Sequence, residues 1–278
     1  MTASKPLAGI VAPDERLVMI VGNYGSGKTE VSVNLAIALA GDGARVQLAD
    51  LDIVNPYFRS REARERLERH GIRVVVPPGD QAFADLPIIL PEIAGMLHPP
   101  EGVVSVFDVG GDDVGAKALA AFRPTIGDGP YELWQVINSK RPFTHTLDGC
   151  LVMKQAIEEA SRLEVTGLLV NSHLIHDTDP AAVLEGWDLA RAVSERTGLP
   201  IRCVAVMRDV ADAPELARID APRLVLTRTM LPPWQQTAGW NVAAPADGGP
   251  ARRPTPIGRP GRMSIPPPRG DAHGSHRD

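Results

Sequence analysis

The chain has 278 residues, 44% of them hydrophobic and 23% charged, with a formal net charge of −5. That length and balance fit one large α/β domain or two small ones and exclude collagen-like, coiled-coil and disulfide-rich classes. Aromatics are only 4%, so the core is aliphatic, and the acidity argues against general nucleic-acid binding through charge.

Residues 1–16 form a short lead with Lys5, Asp14, Glu15 and Arg16 but no apolar h-region. No run of about 18 apolar residues follows, so no membrane-spanning helix is expected and the cytoplasm is the expected location. Leu17–Val21 is an apolar strand ending in glycine, and Lys28–Ala40 has helical spacing. Arg45–Ala49 is a second strand. Asn55-Pro56 reads as an N-cap with proline at N1, opening a charged helix that stops at Gly71. That helix carries five arginines and three glutamates at 56–70, spaced for intrahelical pairs on a solvated face. Strands follow at Ile72–Val76, Val103–Phe107, Leu133–Ile137, Val165–Val170 and Ile201–Val206. Asp179-Pro180 caps another helix, closed by Gly198. Continuous apolar strands separated by helices predict an α/β fold: three layers, a doubly wound, mostly parallel sheet.

The prolines are concentrated at the end. Residues 231–278 hold ten prolines, seven glycines and six arginines against three aspartates. Their charge of +3 leaves −8 for the rest of the chain. Such a segment has no apolar periodicity to offset the entropy of ordering, so a disordered tail is expected after a domain over 17–230.

Gly22-Asn23-Tyr24-Gly25-Ser26-Gly27-Lys28-Thr29 fits G-x-x-x-x-G-K-[ST] in full, with a strand before it and a helix after it. Glycines let successive backbone N–H groups curl around a phosphate, and the helix N-terminus adds its dipole. Gly22, Asn23, Tyr24, Gly25, Ser26, Gly27, Lys28, Thr29 and Glu30 are the expected nucleotide-binding residues. Lys28 is expected to bridge β- and γ-phosphate oxygens and Thr29 to ligate Mg²⁺. Asp108 ends the most apolar strand and runs into Val109-Gly110-Gly111-Asp112-Asp113, the placement of a magnesium-holding aspartate before a glycine-hinged switch. Asp50 and Asp52 alternate at the end of the second strand, on one side of it, where open α/β sheets bind ligands. One of the two is a candidate for ordering the attacking water or the outer magnesium shell.

Gly25–Thr29, Val33-Asn34-Leu35-Ala36, Ala38-Leu39-Ala40, Arg45-Val46 and Asp50-Leu51-Asp52 together resemble the MinD/ParA branch of P-loop ATPases. Asp108-Val109-Gly110-Gly111-Asp112 is similar to the switch II of the nitrogenase iron protein, a relative of that branch. The resemblance covers about residues 17–215 and implies a P-loop NTPase fold, an ATP–Mg²⁺ site and nucleotide-controlled homodimerisation. It implies that Asp52 is the switch I aspartate near the attacking water and a magnesium-shell residue. It implies that Asp108 holds magnesium, that Asp112 takes a base role, and that Asn171 reads adenine. Asn23 stands where the family carries a second lysine, for which Arg59 or Arg61 is a candidate substitute cation. No cysteine lies in 108–122, so a shared iron–sulfur cluster is not expected.

Guanine readers use N-K-x-D, whose aspartate accepts from guanine N1 and N2. Here the run is Asn171-Ser172-His173-Leu174, which favours ATP. His173, His176, Asp177 and Asp179 offer only a weak metal spacing, more simply read as a polar loop near the base. Asn138-Ser139-Lys140-Arg141-Pro142 follows a strand; Lys140 and Arg141 can meet an anionic group. Cys150 and Cys203 read as buried apolar residues. The expected function is a Mg²⁺-dependent ATPase acting as a nucleotide-driven switch on an unidentified partner protein. The alternative is an ATP-dependent ligase or kinase of the dethiobiotin synthetase or cobyrinate amidation type. A third class is an adaptor that binds nucleotide without turning it over.

Overall fold

The computed structural model describes residues 9–12, 14–51, 64–75, 91–111, 113–174 and 177–228, with backbone alone at 113–116. The expected tail, the opening part (55–63) of the expected charged helix with Arg59 and Arg61, Asp52, Asp112 and His176 lie outside the described residues.

Elements alternate along the chain as the apolar runs predict. The strands are β1 (Leu17–Gly22), β2 (Arg45–Leu51), β3 (Arg73–Val75), β4 (Val103–Val109), β5 (Glu132–Ile137), β6 (Gly167–Val170), β7 (Ile201–Met207) and β8 (Arg223–Leu226). The helices are α1 (Lys28–Gly41), α2 (Arg64–Arg69), α3 (Pro91–Met96), α4 (Asp113–Ile126), α5 (Leu147–Ser161) and α6 (Pro180–Thr197). Local chemistry sets several boundaries. Asp179 accepts at Oδ1 from the Ala182 N–H at 2.8 Å with Pro180 at N1, and Gly198 closes α6 at φ 75°. Thr146 caps α5 through Oγ1, which accepts from the Gly149 N–H at 3.1 Å.

The eight strands among the described residues form one parallel sheet in the order β3-β2-β4-β1-β5-β6-β7-β8. Its first strand is central, and the chain winds away from it in both directions. The switch point, where such sheets bind ligands, is therefore at the C-terminal end of β1. Strand β8 was not expected from the sequence. It is four residues long, with only Leu224 and Leu226 buried, so it carries half the apolar signal of an interior strand.

Side chains alternate across the sheet, and one face belongs to α1. Val18, Ile20, Leu48, Val106 and Val136 pack there with Val31, Leu35 and Leu39 of α1 and Leu67 of α2. Leu17, Met19, Phe107, Val109 and Leu133 pack on the other face with Ile93 of α3, Leu119 and Phe122 of α4, and Ile157 of α5. Val170, Val204 and Val206 pack with Val183, Trp187 and Ala190 of α6. The core begins upstream of β1, because Ile10 and Val11 are buried in the α1 layer.

At the N-terminal end of the sheet a buried carboxylate gathers donors. Glu132 Oε2 accepts from Trp134 Nε1 at 2.7 Å and Thr166 Oγ1 at 2.6 Å, and pairs with Arg202 at 2.7 Å. Arg202 also pairs with Glu15 at 2.8 Å and lies 5.8 Å from the Trp134 ring centroid. Cys150 and Cys203 are buried, and desolvation pushes their thiols up to about 11 and about 12.

A phosphate-loop site at the switch point

The end of β1 turns sharply at three glycines. Gly22, Gly25 and Gly27 have φ of 146°, 70° and 87°, all in the region that L side chains avoid. Space also excludes a side chain at two of them. A Cβ on Gly22 would lie 3.0 Å from the Val136 carbonyl oxygen of β5, and one on Gly27 would strike the Asn171 amide. Alternating left-handed residues produce the anion-binding concavity called a nest, here opening into the N-terminus of α1. Gly27 itself is the N-cap of α1, with no side-chain cap. Glu30 lies in the first turn of α1, where its Oε1 accepts from Asn34 Nδ2 at 3.3 Å. The residues present thus fit a polyphosphate.

Lys28 is buried, and its Nζ donates to the Asn23 carbonyl at 3.1 Å. Asn23 holds the loop from two sides: its Oδ1 accepts from the Tyr24 N–H at 2.8 Å, and its Nδ2 donates to the Pro142 carbonyl at 3.0 Å. Ser26 is fully buried, and its carbonyl accepts from Asn171 Nδ2 at 2.8 Å. That bond latches the phosphate loop to the end of β6. Thr29 is half-buried on the first turn of α1.

The carboxylates follow from the sheet's alternation. Leu48 and Val106 face α1, so Asp50 and Asp108, two residues on, face it too. Asp50 and Asp108 are register partners on adjacent strands, both buried. Ser32 Oγ of α1 donates to Asp108 Oδ1 at 3.4 Å. Ser32 and the Asp50–Asp108 adjacency were not singled out from the sequence. The signal for Ser32 is its spacing of one helical turn from Lys28.

Gly111, three residues past Asp108, lies against the phosphate loop. A Cβ there would sit 2.5 Å from Lys28 Nζ and 2.8 Å from both Cα and N of Tyr24. Only a glycine permits this approach, because two of those atoms are backbone.

On the β5–β6 side, Lys140 and Arg141 separate. Lys140 forms an ion pair with Glu185 of α6, whereas Arg141 runs alongside Gly25. Ser172 Oγ accepts from the Ser139 N–H at 2.8 Å, joining the loops that follow β5 and β6. His173 Nε2 would lie 3.1 Å from a Cβ on Gly27. Burial, then the charges of Arg141 and Arg228, hold its imidazole down at about 4, so it is neutral near pH 7. Leu174 is exposed. Among the described residues no three His, Cys, Asp or Glu side chains gather as a metal-binding group. No described helix is long and apolar enough to cross a membrane.

Solved structures offer comparisons. Over 74% of its length the chain is similar in structure to the cell division protein FtsY of Thermotoga maritima, with 20% identity and a TM-score of 0.53. It is also similar to the signal recognition particle 54 kDa protein of Aeropyrum pernix, solved with GDP (20% identity, 71% of this chain and 43% of that one, TM-score 0.49). A third is chloroplast FtsY of Physcomitrella patens (18% identity, 73% and 62%, TM-score 0.49). The chain covers 65% of the Thermotoga protein, so it spans less than two thirds of each of the three. No curated protein matches it. Residues 18–211 match the CobQ/CobB/MinD/ParA nucleotide binding domain, more than half of the chain. With a full phosphate-loop motif at the switch point of a wholly parallel sheet, the chain belongs to that family of nucleotide-binding P-loop NTPases.

Proposed function

We propose that the chain is a Mg²⁺-dependent ATPase that works as a nucleotide-driven switch on a partner protein. The observation that carries this reading is the seat of Gly111. The loop leaving β4 touches both Lys28 and the backbone of Tyr24, so a change at the phosphate loop moves the β4 loop directly.

In this reading the backbone from Gly22 to Thr29 and the N-terminus of α1 hold the phosphates, with Glu30 in the first turn behind them. Lys28 exchanges the Asn23 carbonyl for phosphate oxygens when nucleotide enters. Thr29 and Asp108 hold magnesium, with Asp52 in its outer shell. Magnesium supplies charge neutralisation at the transferring phosphoryl group. The resemblance assigns Asp52 to ordering the attacking water and Asp112 to the base role. Asn171, which fixes the loop through Ser26, reads the base in this reading. Leu174 occupies the place where guanine readers carry an aspartate, which favours adenine. One chain suffices to bind, and a homodimer is one form in which the switch can act.

The test is phosphate release from ATP with magnesium, compared with GTP. Slow basal turnover that prefers ATP is expected, Lys28→Ala should lose ATP, and Asp52→Ala should keep ATP without hydrolysing it. A protein retained by the Asp52→Ala form with ATP and released from Lys28→Ala is the expected partner, and it should accelerate wild-type turnover. Rapid transfer of phosphate from ATP to a small acid would overturn the switch reading in favour of a ligase or kinase.

A further inference from the structure

The loop between β5 and α5 carries two adjacent cations with opposite fates. Lys140 is consumed by Glu185. Arg141 leans on the phosphate loop, its Nε, Cζ and Cδ lying 3.6, 3.8 and 3.9 Å from where a Cβ of Gly25 would be. The Arg141 Nε is buried and makes no hydrogen bond among the described residues.

The loop is built to hold that position. The Arg141 N–H donates to the Asn138 carbonyl at 3.2 Å, and the Thr144 N–H donates to the Arg141 carbonyl at 3.4 Å. Thr144 Oγ1 donates to the Asn138 carbonyl at 3.2 Å. Pro142, the next residue, is tied to the phosphate loop by Asn23. Phe143 then takes φ 69° while 74% exposed, a conformation that a bulky residue adopts only when its surroundings impose it. Its carbonyl fits against Gly149, where any side chain would collide with it. The φ of Phe143 is thus set by the backbone contacts of the loop and not by burial of its ring.

A guanidinium beside a phosphate-binding loop has a natural partner. Its fork of donors matches phosphate oxygens, and its charge does not titrate away. We propose that Arg141 is a second phosphate-binding cation for the nucleotide, supplied by the same chain as Lys28 and held in place by the strained β5–α5 loop. The inference rests on the nucleotide reading above. It deepens that reading by removing the need for a second chain to complete the charge around the phosphates.

The experiment uses the full chain and displacement of a fluorescent ATP analogue by ATP and by inorganic tripolyphosphate, which has no base. In Arg141→Ala, ATP and tripolyphosphate should both weaken by about 10- to 100-fold and by the same factor. Arg141→Lys should recover part of the loss, and thermal melts of both variants should match the wild type. Unchanged ATP affinity in Arg141→Ala overturns the proposal. Weakened ATP with unchanged tripolyphosphate also overturns it, because Arg141 would then be stacking on the base. A wild-type chain that fails to bind ATP defeats the nucleotide reading itself, and this is visible before any variant is compared.

Discussion

Asn34 of α1 and Thr227, just past β8, exchange two hydrogen bonds: the Thr227 N–H donates to Asn34 Oδ1 at 2.9 Å, and Asn34 Nδ2 donates to the Thr227 carbonyl at 3.1 Å. A side chain on the helix that follows the phosphate loop thus ties down the chain just past β8. Asn34→Ala should cost about 1–3 kcal/mol of unfolding free energy, since both backbone groups of Thr227 lose their partner. Urea denaturation measures it.

Gly111→Ala tests the contact between the β4 loop and the phosphate loop. The added methyl meets Tyr24 backbone, which cannot rotate away as a side chain can. Displacing the loop by about 1 Å should lower ATP turnover about 100-fold, with a much smaller change in melting temperature. Steady-state phosphate release and a thermal melt check both halves.

Asn171→Asp should be worse for nucleotide binding than Asn171→Ala. The alanine removes one donor from the Ser26 carbonyl, whereas the aspartate sets an acceptor against it. The expected costs are about 1–3 kcal/mol for alanine and more for aspartate. Titration with an ATP analogue measures the order, and equal losses would argue against the latch.

His173 makes a prediction about pH. Its pKa is about 4 in the folded chain and 6.5 ordinarily, so between those values the unfolded chain holds a proton that the folded one does not. Stability from this group is complete above pH 6.5, falls as pH drops from 6.5 to 4, and levels off below 4. His173→Gln, which cannot titrate, should show a shallower fall of the denaturation midpoint across that window. Urea midpoints at pH 7.5 and 5.0 for the two proteins decide it.

The Glu132 cluster should affect stability alone. Glu132→Ala strips partners from Trp134, Thr166 and Arg202 in a buried setting, at an expected cost of about 3–5 kcal/mol. ATP affinity of the folded fraction should be unchanged, because the cluster lies at the end of the sheet opposite the phosphate loop. Loss of affinity in the fraction that remains folded would show coupling across the sheet.

Much of this was legible in the residues themselves. Lys28 and its glycines sit in a contiguous motif, and Asp108 lies near the end of a mostly apolar strand, so short-range pattern singled out both. The Asp50–Asp108 adjacency was not legible, because it depends on β2 and β4 being neighbours although β3 lies between them in sequence. Arg141 could be named as a loop cation but not separated from Lys140. The separation depends on Glu185, 45 residues away, and on Gly25, on the far side of the β1–β5 pair. Gly111 likewise reads as a hinge in sequence. Its closeness to Tyr24 is a tertiary fact.

The burial of Ile10 and Val11 and the pairing of Glu15 with Arg202 bear on where the folding unit begins. A fragment starting at Leu17 would keep every nucleotide-binding motif. It would also open a gap in the α1 layer and leave Arg202 with only one of its two carboxylates. The Ser105 N–H would lose the Arg16 carbonyl that it reaches at 2.8 Å. The packed unit is therefore larger than the piece that carries the motifs, and its margin lies upstream of β1.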